Sequence, residues 1–193
     1  MTYLGHVVSN RGIEPTADKT RAPSPTGKKS LKTCLGLINY YGRFLKHIAT
    51  VLAPLHMLLR EGQQWKWGKD QEEAFSKAKE QVASPPCLAH FDVTLKTTLA
   101  CDANPYGVGC VLSQTGSDGV RRPVAFYARS LNETEKRYSQ TDREALSIVV
   151  GVKKSHYYLY GRPFIIETEH EPLLGLFGED KPIPVLASLR IIR

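Results

Sequence analysis

Three observations predict an α/β fold, α+β in its N-terminal part, in which a small helical module precedes a mixed sheet covered by helices. Residues 31–59 carry apolar side chains at helical spacing. From residue 91 the order reads strand, strand, strand, helix, strand, helix, and hairpin-joined strands followed by a crossover helix make a mixed sheet. The formal charge of +7 lies entirely in residues 1–60, so a basic first part is joined to a neutral remainder.

Each element has a local cause. Residues 3–9 read as a short strand, and Asn10-Arg11-Gly12 is a turn signal that leaves Ile13-Glu14-Pro15 extended. The cluster Ala22-Pro23-Ser24-Pro25-Thr26-Gly27 admits no helix. Leu31, Cys34, Leu35, Ile38, Tyr41, Leu45 and Ile48 then recur every three or four residues, an amphipathic helix with Ser30 as N-cap. Leu52, Leu55, Leu58 and Leu59 form a second short helix with Pro54 near its start. Trp65 and Trp67 lead into a polar helix over Asp70–Val82, capped by Asp70 and stopped by Pro85-Pro86.

Residues 95–102 alternate between Leu95, Thr97, Leu99, Cys101 and Lys96, Thr98, Ala100, Asp102, which is a strand. Val108–Ser113 and Val124–Ala128 are two more, joined by the turn Gly116-Ser117-Asp118-Gly119. A helix over Thr141–Tyr158 presents Ala145, Ile148, Val149 and Val152, and Gly161 ends it. Phe164–Thr168 is a fourth strand, and Pro172–Phe177 and Val185–Ile192 are weaker helical stretches. The domain reading is 1–62 for a basic helical module, 63–90 for a connection with one helix, and 91–193 for the sheet domain.

Composition excludes several classes. A 41% hydrophobic and 23% charged chain of 193 residues is globular rather than disordered. No apolar run approaches the roughly 18 residues that span a bilayer, and the first residues have no signal-peptide pattern. A cytoplasmic or nuclear protein without membrane attachment is therefore expected, not a secreted one. Cys34, Cys87, Cys101 and Cys110 form no C-x-x-C and read as reduced thiols, mostly buried.

Three acids are the candidate chemistry. Asp102 ends the first strand of the sheet domain in an apolar run, Glu144 borders the apolar face of the long helix, and Glu169 ends the fourth strand. If the first and fourth strands are neighbours, the three carboxylates converge. Such a cluster repels itself unless hard divalent cations neutralise it. Taken singly, each also fits a solvated strand end, a surface helix position or a charged edge.

Several motifs in order carry a resemblance. Tyr3-Leu4-Gly5-His6-Val7-Val8-Ser9, Leu35-Gly36-Leu37-Ile38-Asn39-Tyr40-Tyr41-Gly42-Arg43-Phe44-Leu45, Ala53-Pro54-Leu55 and Trp65-Lys66-Trp67 are followed by Cys101-Asp102-Ala103-Asn104-Pro105-Tyr106-Gly107. Tyr138-Ser139-Gln140-Thr141-Asp142-Arg143-Glu144-Ala145-Leu146 and His156-Tyr157-Tyr158-Leu159-Tyr160-Gly161 come next. Over nearly its whole length the chain resembles the Pol polyprotein of gypsy-class long-terminal-repeat retrotransposons. The matching region runs from the end of the reverse transcriptase palm through thumb and connection into ribonuclease H.

The resemblance implies a ribonuclease H-like domain that cuts the RNA strand of an RNA–DNA hybrid with two Mg²⁺ ions (Mn²⁺ as an alternative). Asp102, Glu144 and Glu169 are its implied catalytic and metal-binding residues. A basic thumb with Arg21, Lys28, Lys29, Lys32, Arg43 and Lys46 would grip hybrid or other nucleic acid. Tyr40 and Tyr41 either stack on nucleic acid or belong to the core. The rest of a Pol polyprotein is the implied partner.

Four departures shape the expectation. The palm with its paired aspartates is absent, so reverse transcriptase activity is not expected. The run Asp18–Pro23 is shorter than the family's. Thr168-Glu169-His170 replaces the family's Thr-Asp-His, moving the carboxylate out by one methylene and weakening metal binding. The chain stops at Arg193, which implies a C-terminally truncated domain. The leading reading is an impaired hybrid-specific endonuclease; the alternatives are a non-catalytic nucleic-acid-binding module and an inert relic of a retroelement.

Overall fold

The computed structural model describes residues 1–3, 6–10, 12–15, 24–45, 47–83 and 86–173. The Val185–Ile192 stretch, the run Asp18–Pro23 and most of Pro172–Phe177 lie outside them. At the N-terminus β1 (Thr2–Tyr3), β2 (His6–Ser9) and β3 (Gly12–Pro15) form a small antiparallel sheet. The single strand read over 3–9 is thus two strands paired with each other, Tyr3 opposite His6. Ile13 exchanges both backbone hydrogen bonds with Leu88, at 2.8 and 2.9 Å. Gly12 permits that approach: its φ is +139°, and a Cβ there would lie 2.1 Å from the Leu88 carbonyl oxygen.

The helical region is more broken than its periodicity implies. α1 spans Lys28–Tyr40 and is followed by a 3₁₀ turn, Gly42–Phe44. His47 adopts a left-handed conformation (φ 52°), and α2 (Ile48–Val51) and α3 (Ala53–Leu58) follow. Leu45 and Ile48 still reach the same core as Leu31, Leu35 and Ile38, because the turns re-aim the chain instead of extending the helix. Ser30 is not the N-cap of α1. Gly27 holds that position in extended backbone, and Ser30 in the first turn accepts the Gly27 N–H through Oγ at 3.1 Å. Tyr41 is fully buried while Tyr40 is half exposed, so the tyrosine pair divides between core and surface.

α4 (Lys69–Ala83) begins after Gly68, one residue ahead of the predicted start. Asp70 lies in its first turn, where a carboxylate favours the helix dipole, but it is not the cap. Gln71 Oε1 instead accepts the Gly68 N–H at 3.1 Å. Ala74, Phe75 and Ala78 pack into the core of the preceding helices.

The second sheet has the order β6-β5-β4-β7, from β4 (Lys96–Ala103), β5 (Gly107–Thr115), β6 (Arg121–Ser130) and β7 (Ile165–Thr168). β4, β5 and β6 are antiparallel neighbours, and β7 lies parallel to β4, as the crossover reading requires. The crossover is α5 (Gln140–Lys154) and a short α6 (His156–Leu159), with a break at Ser155 inside the predicted continuous helix.

Both faces of this sheet are covered. Leu99, Cys101, Cys110 and Leu112 face α5, against Ile148 and Val152. Val149, predicted to lie on the packing face, is 47% exposed, whereas Glu144, Ser147 and Gly151 are buried. Gly151 explains the rotation: a Cβ there would be 2.7 Å from Cys110 Sγ and 3.2 Å from Cys101 Sγ, so the helix sits close to the sheet along its smallest residues. On the other face Phe126, Val111 and Ala128 join the core built by α1, α2, α3 and α4. All four cysteines are free thiols; Cys101 and Cys110 are buried, and Cys34 and Cys87 are half-buried. Among the described residues no helix is long and apolar enough to cross a membrane.

Candidate active-site cleft

β4 and β7 run in parallel, so their C-terminal ends meet at one edge of the sheet. Asp102 is the penultimate residue of β4, and by strand alternation it points away from α5 with Ala100. Thr168 pairs with Cys101, so Glu169 leaves the sheet beside Asp102. Both line a cleft of about 360 Å³ that also includes His47, Gly109, Phe126 and Glu167. Asp102 is 55% exposed, and its Oδ2 is 3.8 Å from His47 Nδ1. Gly109, opposite Asp102 in the ladder, lies beside that imidazole: a Cβ at 109 would be in ordinary van der Waals contact with it, 3.4 Å from His47 Nδ1. Glu167 is held by a two-pronged pair with Arg121, at 2.7 Å on each oxygen.

Glu144 enters from the second turn of α5. Ser139 caps that helix by accepting the Asp142 N–H at 3.1 Å. Gln140, one turn before Glu144, donates from Nε2 to the Ala103 carbonyl at 3.1 Å and to Glu144 Oε1 at 2.7 Å. It thereby ties the acid on the helix to the strand that carries Asp102. Glu144 is buried. Burial pushes its carboxyl above the usual range, and the Asp102 charge adds to the shift, while the Gln140 hydrogen bond and His170 oppose it. His170 is fixed by Thr141 Oγ1 at 2.9 Å. The Cys101 thiol is also pushed up, first by its hydrogen bond with Cys110, then by burial and by the charges of Cys110 and Glu144.

Asp102 and Glu144 are therefore electrostatic neighbours, and Glu169 is exposed in the same cleft as Asp102. Among the described residues no three His, Cys, Asp or Glu side chains are gathered as a metal site. The donor chemistry fits a hard cation nonetheless. Mg²⁺ prefers oxygen and is commonly bound by one or two carboxylates together with substrate phosphates. A carboxylate raised first by burial and then by a second carboxylate is a situation that a cation relieves.

Of the basic residues, Lys28, Lys29 and Lys32 lie on the first turns of α1. Lys29 and Lys32 are exposed, and Lys28 Nζ donates to the Arg60 carbonyl at 3.3 Å. Arg21, Lys46 and the Arg43 side chain lie outside the described residues. Sequence reasoning missed His47, Gln140 and His170. Gln140 was legible in principle, four residues before Glu144 and thus one turn away on the same helix face. His47 was not, because it meets Asp102 across 55 positions of chain.

A mixed sheet with one acid at the end of its first strand and a second on its crossover helix defines a ribonuclease H-like domain. The chain belongs to the family described as the RNase H-like domain found in reverse transcriptase, whose family model matches residues 67–166. It is 34% identical over 187 residues to the transposon Tf2-3 and Tf2-4 polyproteins of Schizosaccharomyces pombe, across 93% of this chain and 14% of each polyprotein. The resemblance to retrotransposon Pol read from the motifs is thus borne out. The structure is similar to that of a foamy viral protease-reverse transcriptase in complex with dsDNA (TM-score 0.74, 20% identity, 98% of this chain and 40% of the other). It is also similar to the same enzyme in complex with an RNA/DNA hybrid (TM-score 0.73, 18% identity, 100% of this chain and 27% of the other). These likenesses show the fold, with helical module and sheet domain aligned together.

Proposed function

We propose that the chain carries a ribonuclease H-type endonuclease site that cuts the RNA strand of an RNA–DNA hybrid, with a weakened hold on its divalent cation. The observation that carries this reading is that Gln140 ties buried Glu144 to the end of β4, at the residue next to Asp102, while Asp102 shares one cleft with the exposed Glu169. Asp102 and Glu144 would be the principal protein ligands of Mg²⁺ or Mn²⁺, with Glu169 a longer-armed third. When bound, the cation would activate water and stabilise the leaving oxygen of the phosphodiester. The residues of this chain supply the rest. Gln140 orients Glu144, the apolar cleft wall formed by Phe126 limits water, and Lys28, Lys29 and Lys32 attract hybrid phosphates without regard to sequence.

The foamy viral relative in complex with an RNA/DNA hybrid supports this choice of substrate. Single-turnover cleavage of a labelled hybrid in Mg²⁺ or Mn²⁺ tests it. Slow cleavage by the parent, loss in Asp102→Asn and a gain of about a hundredfold in Glu169→Asp are the expected results, since a displacement of order 1 Å costs about that much. Equal rates for parent and Asp102→Asn would overturn the reading and leave a nucleic-acid-binding module.

A further inference from the structure

The crossover segment has an unusual surface at the end opposite the acids. Between Glu144 and Glu167 the sequence holds no acidic residue, while Lys153, Lys154 and Arg162 are basic. All three are exposed, as are His156, Tyr157 and Tyr160 around the break after α5. Tyr157 is 92% and Tyr160 76% exposed, whereas Tyr158 between them is partly buried against the sheet core. The His156 ring gathers both, at 5.1 Å from Tyr160 and 6.2 Å from Tyr157. Arg162 is braced behind them, donating to the Tyr158 carbonyl at 3.0 Å and lying 5.6 Å over the Phe91 ring.

This patch is not the acidic cleft. Gln140 anchors the start of α5 at Ala103, where β4 ends, whereas the chain leaving the patch enters β7 at Ile165, opposite Thr98 near the start of β4. From Glu144 to Lys154 the helix axis advances about 15 Å. The patch therefore occupies the other end of the sheet.

From this surface we infer a second nucleic-acid site, one that takes a single strand. Exposed rings beside exposed cations match the stacking platforms of single-strand binders, where unpaired bases lie on aromatic faces and the backbone follows the positive charge. A duplex keeps its base faces covered, so the rings would gain little from it. An acidic peptide without aromatic residues would engage the cations but leave the tyrosine rings uncovered. The site goes beyond the cleavage reading and does not depend on it.

Fluorescence anisotropy with labelled oligothymidylate and the full chain in EDTA removes any metal-held contact in the cleft, and the patch variants separate this site from the Lys28, Lys29 and Lys32 surface. Replacing both tyrosines (Tyr157→Ala with Tyr160→Ala) weakens binding by about tenfold per ring, while Phe at both positions retains it. Lys153→Ala with Lys154→Ala lowers the salt slope by about 0.7 per lysine. Unchanged thermal melting in these surface variants excludes a folding effect. Equal binding by the parent and the double-Ala variant would overturn the site. So would tighter binding of duplex than of single strand, or displacement by polyglutamate that spares the double-Ala variant.

Discussion

Gly151 on α5 lies so close to Cys110 on β5 that a Cβ at Gly151 would sit 2.7 Å from the sulfur. The Cys110 thiol is engaged there, donating to the Ser147 carbonyl at 3.2 Å. The helix approaches the sheet along Ser147 and Gly151, and this depth brings Glu144 toward the end of β4.

The first consequence is a stability test. Alanine at an ordinary helix interior gains nearly 1 kcal/mol over glycine. Here the gain is outweighed by overpacking, which costs about 1–3 kcal/mol. Gly151→Ala is expected to lower the urea midpoint, and adding Cys110→Ala to recover part of the loss. Additivity of the two changes would show that the contact is not the cause.

A second test concerns Glu144. Its folded carboxyl titrates above the ordinary glutamate value of 4.5, with burial first and the Asp102 charge next among the causes that raise it. A raised value means that the folded state is favoured below the unfolded value and loses that advantage as pH rises through the folded one. Glu144→Gln is therefore expected to melt higher than the parent at neutral pH, with the difference closing below about pH 4. Melting curves across pH read the result directly, and a parent that is the more stable protein at neutral pH would contradict it.

Glu135 has the opposite sign. Its carboxylate takes both Arg129 guanidinium nitrogens, at 2.7 and 2.8 Å, and the Asn132 N–H at 2.9 Å. The Arg129 hydrogen bond leads the causes holding its carboxyl below the usual range. That stabilisation is present above the ordinary carboxylate range and disappears as pH falls through the lowered value. Glu135→Ala should cost about 1–2 kcal/mol at neutral pH by urea unfolding, and less in acid.

Metal binding offers the simplest check on the cleft. Thermal melting in increasing Mg²⁺ is expected to rise in the parent and stay flat in Asp102→Asn. A ligand at 100 times its dissociation constant adds about 2.7 kcal/mol to the folded state. Glu169→Asp should reach that response at lower Mg²⁺. Parallel curves for parent and Asp102→Asn would remove Asp102 from the site.

By itself the sequence determined the elements whose causes are local. Alternation along 95–102 marked a strand that the structure holds as β4 over 96–103, Gly119 with φ +75° closes the β5–β6 turn, and the acids at 102 and 144 were visible within their motifs. The charge partition was readable as a sum. Tertiary structure alone decided which face of α5 meets the sheet. Apolar periodicity favoured Val149, but the absent side chain of Gly151 set the closest approach. It also decided that the helical module covers the sheet's second face and sets His47 against Asp102. Periodicity records what one segment must bury; which distant segment does the burying depends on side-chain volumes meeting at close range, and no spacing along a chain encodes that.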